Sequence, residues 1–160
     1  MSSLRRPAHS GGTGGTWSHP WCAGPNSAII QLLVGVRPLA LGWSRFEFAP
    51  QPSSLAHVSA SVPFVHGAVP GTIDVDVTQS ATEVATTVAV PAGTTARVCL
   101  PPAHALSKVL RAAPAPAPAG KFTMRVNGSA VATVADGRLL CTEKDLAFGK
   151  YAVTLTYTTA

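Results

Sequence analysis

From Phe46 to Tyr157 apolar side chains return at every second position. Phe46 and Phe48 alternate in RFEFAP, and Ile73, Val75 and Val77 alternate with Asp74 and Asp76 in GTIDVDVTQ. Val84, Val88 and Val90 share one face of TEVATTVAV; Ala96, Val98 and Leu100 share one face of TARVCL. Phe122, Met124 and Val126 repeat the pattern in KFTMRV, and Tyr151, Val153, Leu155 and Tyr157 in the last run. A period of two gives a strand one buried and one wet face, as in an antiparallel sheet. No helical run separates these segments. Short strands at this spacing predict a mainly β fold, an antiparallel β-sandwich.

The breaks between the runs carry turn chemistry. Asn127-Gly128 is a two-residue hairpin signal. Pro91-Ala92-Gly93, Asp136-Gly137 and Phe148-Gly149 are further turn candidates. Ala112 to Gly120, AAPAPAPAG, reads as a stiff, extended Pro/Ala loop between strands.

One helix is expected ahead of the strands. Pro25 suits a first-turn position, and Ile29, Ile30, Leu32, Leu33 and Val36 recur at helical spacing. Gly35 and Pro38 close the segment. A single amphipathic helix needs a surface to pack on, either the sandwich or a module beyond this chain. Residues 1–15 are a Gly/Ser-rich lead without periodicity, expected to be disordered. The expected order is thus a lead over 1–15, a loop and helix over 16–42, and a sandwich over 43–160.

Composition excludes several functions. The net charge is +5, but the twelve Lys and Arg are scattered and only Arg5-Arg6 are adjacent. A nucleic-acid partner requires clustered basic residues, so none is expected. The longest apolar stretch, Ala28 to Val36, is too short to span a bilayer, and no apolar run follows Arg5-Arg6 as in a signal peptide. No membrane partner is expected, and the compartment stays open. Cys22, Cys99 and Cys141 form no CxxC, so no metal site is expected; no cofactor motif occurs either. Cys99 and Cys141 sit in strand-like runs, where buried free thiols are the default and a Cys99–Cys141 bridge is the alternative. There is no GxSxG elbow for a serine hydrolase.

The segment TWSHPWCAGP, followed by LLVGVRPLALGWSRFEFAPQP, resembles the C-terminal part of family 78 α-L-rhamnosidases. The likeness continues through SVPFVHGAVPGTIDVDV, VAVPAGTTARVCLP, VNGSAV and LAFGKYAVTLTY, from about Gly12 to Tyr157. The resemblance implies that residues 16–42 are the last loop and helix of an (α/α)6 catalytic barrel. The helix over 25–36 would then pack on that barrel, and residues 43–160 would be the accessory sandwich. It also implies an inverting glycosidase, in which one carboxyl protonates the leaving oxygen and another activates water. In the family the barrel supplies both, upstream of the matched stretch.

The acidic residues here are Glu47, Asp74, Asp76, Glu83, Asp136, Glu143 and Asp145, and none precedes the WSHPW motif. No acid/base pair is expected, no catalytic residue is assigned, and the chain by itself is expected to be inactive. The resemblance places His19 in a rhamnose-binding pocket, where its imidazole could hydrogen-bond a sugar hydroxyl. Trp17 and Trp21 flank it, and an indole face can stack on a sugar ring, although packing of the helix onto the barrel or sandwich is the favoured role for the pair. The implied partner is a rhamnoside-type carbohydrate, bound if the barrel is present. The other reading is a stand-alone carbohydrate-binding or structural sandwich. His66, in the turn FVHG, reads as structural, with Gly67 supplying an unusual backbone angle.

Overall fold

The computed structural model describes residues 24–102 and 120–159. The lead over 1–15, the motif carrying Trp17, His19 and Trp21, Cys22, and residues 112–119 of the Pro/Ala segment lie outside the described residues. The expected sandwich is present as two sheets. One has five strands in the order β1-β2-β6-β10-β9, and the other six in the order β3-β4-β5-β11-β7-β8. Their ranges are β1 Val36–Pro38, β2 Arg45–Phe48, β3 His57–His66, β4 Val69–Gln79, β5 Glu83–Val90, β6 Thr95–Leu100, β7 Gly120–Val126, β8 Ser129–Ala130, β9 Thr133–Asp136, β10 Leu139–Thr142 and β11 Gly149–Thr159.

The alternation seen in sequence sets the inner faces. Val58, Val62, Phe64, Ile73, Val75, Val77, Val84, Val88, Val90, Met124, Val153 and Leu155 are buried from the larger sheet. Phe46, Phe48, Ala96, Val98 and Leu100 are buried from the smaller one, and together they form one core. Thr86 lies on the buried face of β5, and its hydroxyl donates to the Val153 carbonyl at 3.2 Å. Asn127 and Gly128 both take positive φ, 48° and 82°, as the hairpin between β7 and β8 requires. The Asn127 side-chain oxygen also accepts from the Ala152 amide at 2.9 Å, which fastens that hairpin to β11.

Three features differ from the sequence reading. First, the pairing of β2 with β6 is parallel, although among the described residues all other strand pairings are antiparallel. A single parallel pair leaves no mark in the alternation. Second, the helix is short: one α turn at Gly24–Ala28 continues as a π-helical turn at Ile29–Val34, and Val36 already begins a strand. Gly35 stops it in the left-handed region at φ 80°, and a Cβ there would stand 2.2 Å from the Ala49 carbonyl carbon. Close approach to the strand partner, signalled by Ala49 N–H donating to Gly35 O at 2.7 Å, fixes this end. Third, the default of free thiols is corrected. Cys99 and Cys141 are direct cross-strand partners and form a disulfide with a sequence separation of 42.

Two stability changes are expected. Gly35→Ala combines a disfavoured φ with a backbone clash and should lower stability by about 2–4 kcal/mol. An unchanged urea midpoint would show that Ala49 can retreat. The double variant Cys99→Ser/Cys141→Ser should lose about 4 kcal/mol, chiefly because the unfolded chain gains freedom. A loss below about 1 kcal/mol in chemical denaturation would overturn that assignment.

Candidate functional site

The outer face of the five-stranded sheet holds a buried charge. Glu47 points away from the core that Phe46 and Phe48 fill, yet it is 2% exposed. Its register partners are Arg37 on β1 and Arg97 on β6. Arg37 Nε donates to Glu47 Oε2 at 2.6 Å, and its Nη2 lies 2.5 Å from the same oxygen. Arg97 Nη1 stands 3.5 Å from Oε1 and forms an ion pair with Asp136 Oδ2 at 2.9 Å. The Cys99 sulfur is 3.7 Å from Oε1 but carries no hydrogen in the bridged state. A charge ladder thus runs Arg37–Glu47–Arg97–Asp136 across the sheet. It pins the register of β1, β2 and β6, of which β2 and β6 pair in parallel, and ties β9 to them.

The remaining carboxyl groups lie apart. Asp74 accepts from the Ser61 hydroxyl at 2.6 Å, and Asp76 meets His57 Nε2 at 2.6 Å, both on the outer face of the six-stranded sheet. Both oxygens of Asp145 are taken by the Arg45 guanidinium, at 2.5 and 3.1 Å. The Arg45 pKa is raised, first by the hydrogen bond to Asp145 and then by that carboxylate's charge. A depression of about 300 Å³ is lined by Val126, Val131 and Leu146 together with Glu143, Lys144 and Asp145. With Asp145 held by Arg45, it does not offer two open carboxyl groups to a bound sugar. Among the described residues no three His, Cys, Asp or Glu side chains group as a metal site.

The helical end of the sandwich is different in character. The loop Leu39–Ser44 joins β1 to β2. Leu39 and Ala40 amides donate to the Arg45 carbonyl, and the Ser44 carbonyl accepts from the Thr95 amide. Trp43 takes φ 61°, rare for a large side chain, and its ring packs on Phe64 with centroids 6.0 Å apart. His66 closes the loop from the β3–β4 hairpin: its Nδ1–H donates to the Gly42 carbonyl at 2.6 Å. A Cβ on Gly93 would sit 3.2 Å from the His66 ring. The structural reading of His66 and Gly67, whose φ is 61°, therefore fits the geometry. This tightly held loop presents Leu41 at 98% exposure. Ile29 and Leu32 of the helical turn and Leu39 are also exposed, as are Val65 and Val69 beside His66.

Trp17, His19 and Trp21 lie outside the described residues, so the structure does not bring them to this end or elsewhere. Leu41 and the burial of Glu47 escaped the sequence reading. Leu41 sits in an aperiodic stretch, and Glu47 occupies what looks like a wet position in RFEF. Its one sequence signal is the presence of arginines in segments that become neighbours only by folding.

Residues 35–112 match the family model described as the bacterial alpha-L-rhamnosidase C-terminal domain. The fold is similar to the α-L-rhamnosidase from Dictyoglumus thermophilum, with a TM-score of 0.62 and 14% identity over 82% of this chain. It is also similar to the Streptomyces avermitilis α-L-rhamnosidase solved with L-rhamnose, with a TM-score of 0.53 and 17% identity over 79% of this chain. The chain spans only 13% and 10% of those two structures. No curated protein matches it.

Removing the closest partner of the Glu47 carboxylate should be felt. Arg37→Ala leaves the buried Glu47 with only the more distant Arg97 and should lower stability by about 2–4 kcal/mol, whereas Glu47→Ala leaves a half-exposed Arg37 and an Arg97 still paired with Asp136 and should lose less, about 1–2 kcal/mol. Equal losses for the two in thermal or urea unfolding would argue against an asymmetric ladder.

Proposed function

We propose, from the premise that this chain carries a C-terminal domain of the α-L-rhamnosidase-like proteins, that it is the non-catalytic accessory sandwich of such a glycoside hydrolase. The observation that carries this reading is the disposition of the carboxyl groups. Of the seven acidic residues, Glu47, Asp74, Asp76, Asp136 and Asp145 are engaged with Arg37, Ser61, His57, Arg97 and Arg45. Inverting hydrolysis needs two carboxyl groups facing one another across a sugar with room for water. The chain's own contribution is then positional. Ile29, Leu32 and Leu41 give it an apolar end suited to packing against the preceding module, the (α/α)6 barrel that the family resemblance implies.

In this reading the WSHPW segment, just ahead of the helical turn in sequence, carries the sugar contacts. His19 would hydrogen-bond a rhamnoside hydroxyl, and Trp17 and Trp21 would offer ring faces to the sugar. The role needs the partner module, because one imidazole and two indoles on a single segment do not enclose a ligand.

The test is an assay of the purified chain on an aryl α-L-rhamnoside. No turnover above buffer is expected, and hydrolysis that persists through purification would overturn the non-catalytic assignment. L-Rhamnose binding by the chain alone, weakened at least about tenfold in Trp21→Ala, would instead favour a self-sufficient carbohydrate-binding sandwich.

A further inference from the structure

We infer that this chain folds in an oxidising compartment, where the Cys99–Cys141 disulfide is closed and serves as the tether that holds the β9–β10 hairpin on the five-stranded sheet. Apart from the bridge, the hairpin is held by few contacts. Residues of β9 are exposed throughout. Strand β10 meets β6 through two register pairs only, Leu140 with Leu100 and Cys141 with Cys99, and the second is the bridged pair. Beyond these, the Thr142 hydroxyl accepts from the Val98 amide at 3.3 Å, Asp136, itself 57% exposed, pairs with Arg97, and Leu140 packs on the core; the next attachment lies past the hairpin, where Leu146 and Ala96 exchange backbone hydrogen bonds. Edge elements with few buried contacts open most readily. Here the contact that resists opening is covalent.

Both sulfurs belong to residues with no exposed surface, packed with Ala49 and Leu139. A bridge so enclosed does not exchange readily in the native state, which is the behaviour of a permanent disulfide rather than a cycling one. Permanent disulfides persist where thiols are not kept reduced, outside the cytosol of ordinary cells. Closure balances simply. The two thiols lose two protons and two electrons as the sulfur–sulfur bond forms. An exchanging protein or small-molecule disulfide takes them up and leaves as two thiols.

The test uses the full chain, isolated with its thiols trapped by a maleimide under denaturing conditions. The expected mass shows one label, at Cys22, and three labels only after reduction. Three labels without reduction, in material from an oxidising compartment, would overturn the inference. Hydrogen exchange then tests the tether. After reduction by a dithiol, amides of residues 133–142 should exchange at least about tenfold faster than those of β3, β4 and β5, a wider gap than in the bridged chain. Cys99→Ala/Cys141→Ala should reproduce that gap without reductant. A gap that does not widen in either preparation would show that the hairpin holds without the bridge.

Discussion

The parallel pairing of β2 with β6 is the junction on which the sandwich depends. It joins the strand that follows the β1–β2 loop to the strand that follows the crossover from the other sheet. Phe46 and Phe48 point inward from it and fill the centre of the core. Glu47, between them, faces the other way and would be a heavy penalty if left alone there. Burying an isolated carboxylate costs several kcal/mol even after relaxation. Arg37 and Arg97 offset it because both neighbouring strands place a guanidinium at its register position. A slip of one residue would turn Phe46 and Phe48 outward and leave Glu47 facing the core. Apolar packing and ion pairing therefore demand the same register, which makes this junction specific as well as stable.

That junction also organises the two ends of the molecule. On one side the β1–β2 loop is held by backbone bonds, by His66 and by Trp43 on Phe64, and it holds Leu41 out into solvent. A rigid loop presenting an apolar side chain is suited to burial against another surface. On the other side Arg97 reaches Asp136, and Cys99 reaches Cys141, so the outer hairpin is attached through β6. The chemistry of the carboxyl groups follows from the same construction. Those of Glu47, Asp136 and Asp145 hold strands, loops and hairpins together.

The fold class was legible because each strand declares its buried face locally. Ile73, Val75 and Val77 are buried where alternation places them, while Asp74 lies exposed and Asp76 half exposed between them. The Asn127-Gly128 hairpin was legible for a related reason: few other residue pairs accept two successive positive φ angles. Helix propensity was a weaker guide. Ile29 to Val36 has helical spacing, yet Gly35 and the approach of Ala49 end the helix early, and Val36 joins a sheet. The exposed apolar end was less visible. The motif carrying Trp17, His19 and Trp21 is conspicuous in sequence, whereas Leu41 sits among Pro, Ala and Gly with no pattern to mark it.

The sequence by itself determined the alternation, the hairpin turns and the scarcity of carboxyl groups, because these depend on neighbours along the chain. Tertiary structure alone decided that β2 and β6 run parallel, that Glu47 is enclosed by two arginines, and that Cys99 finds Cys141. Each of these joins residues whose separation along the chain is set by loops, and loop length says little about which strands meet. Only the burial of two apolar faces against one another selects that arrangement, and with it the partners each charge and each sulfur receives.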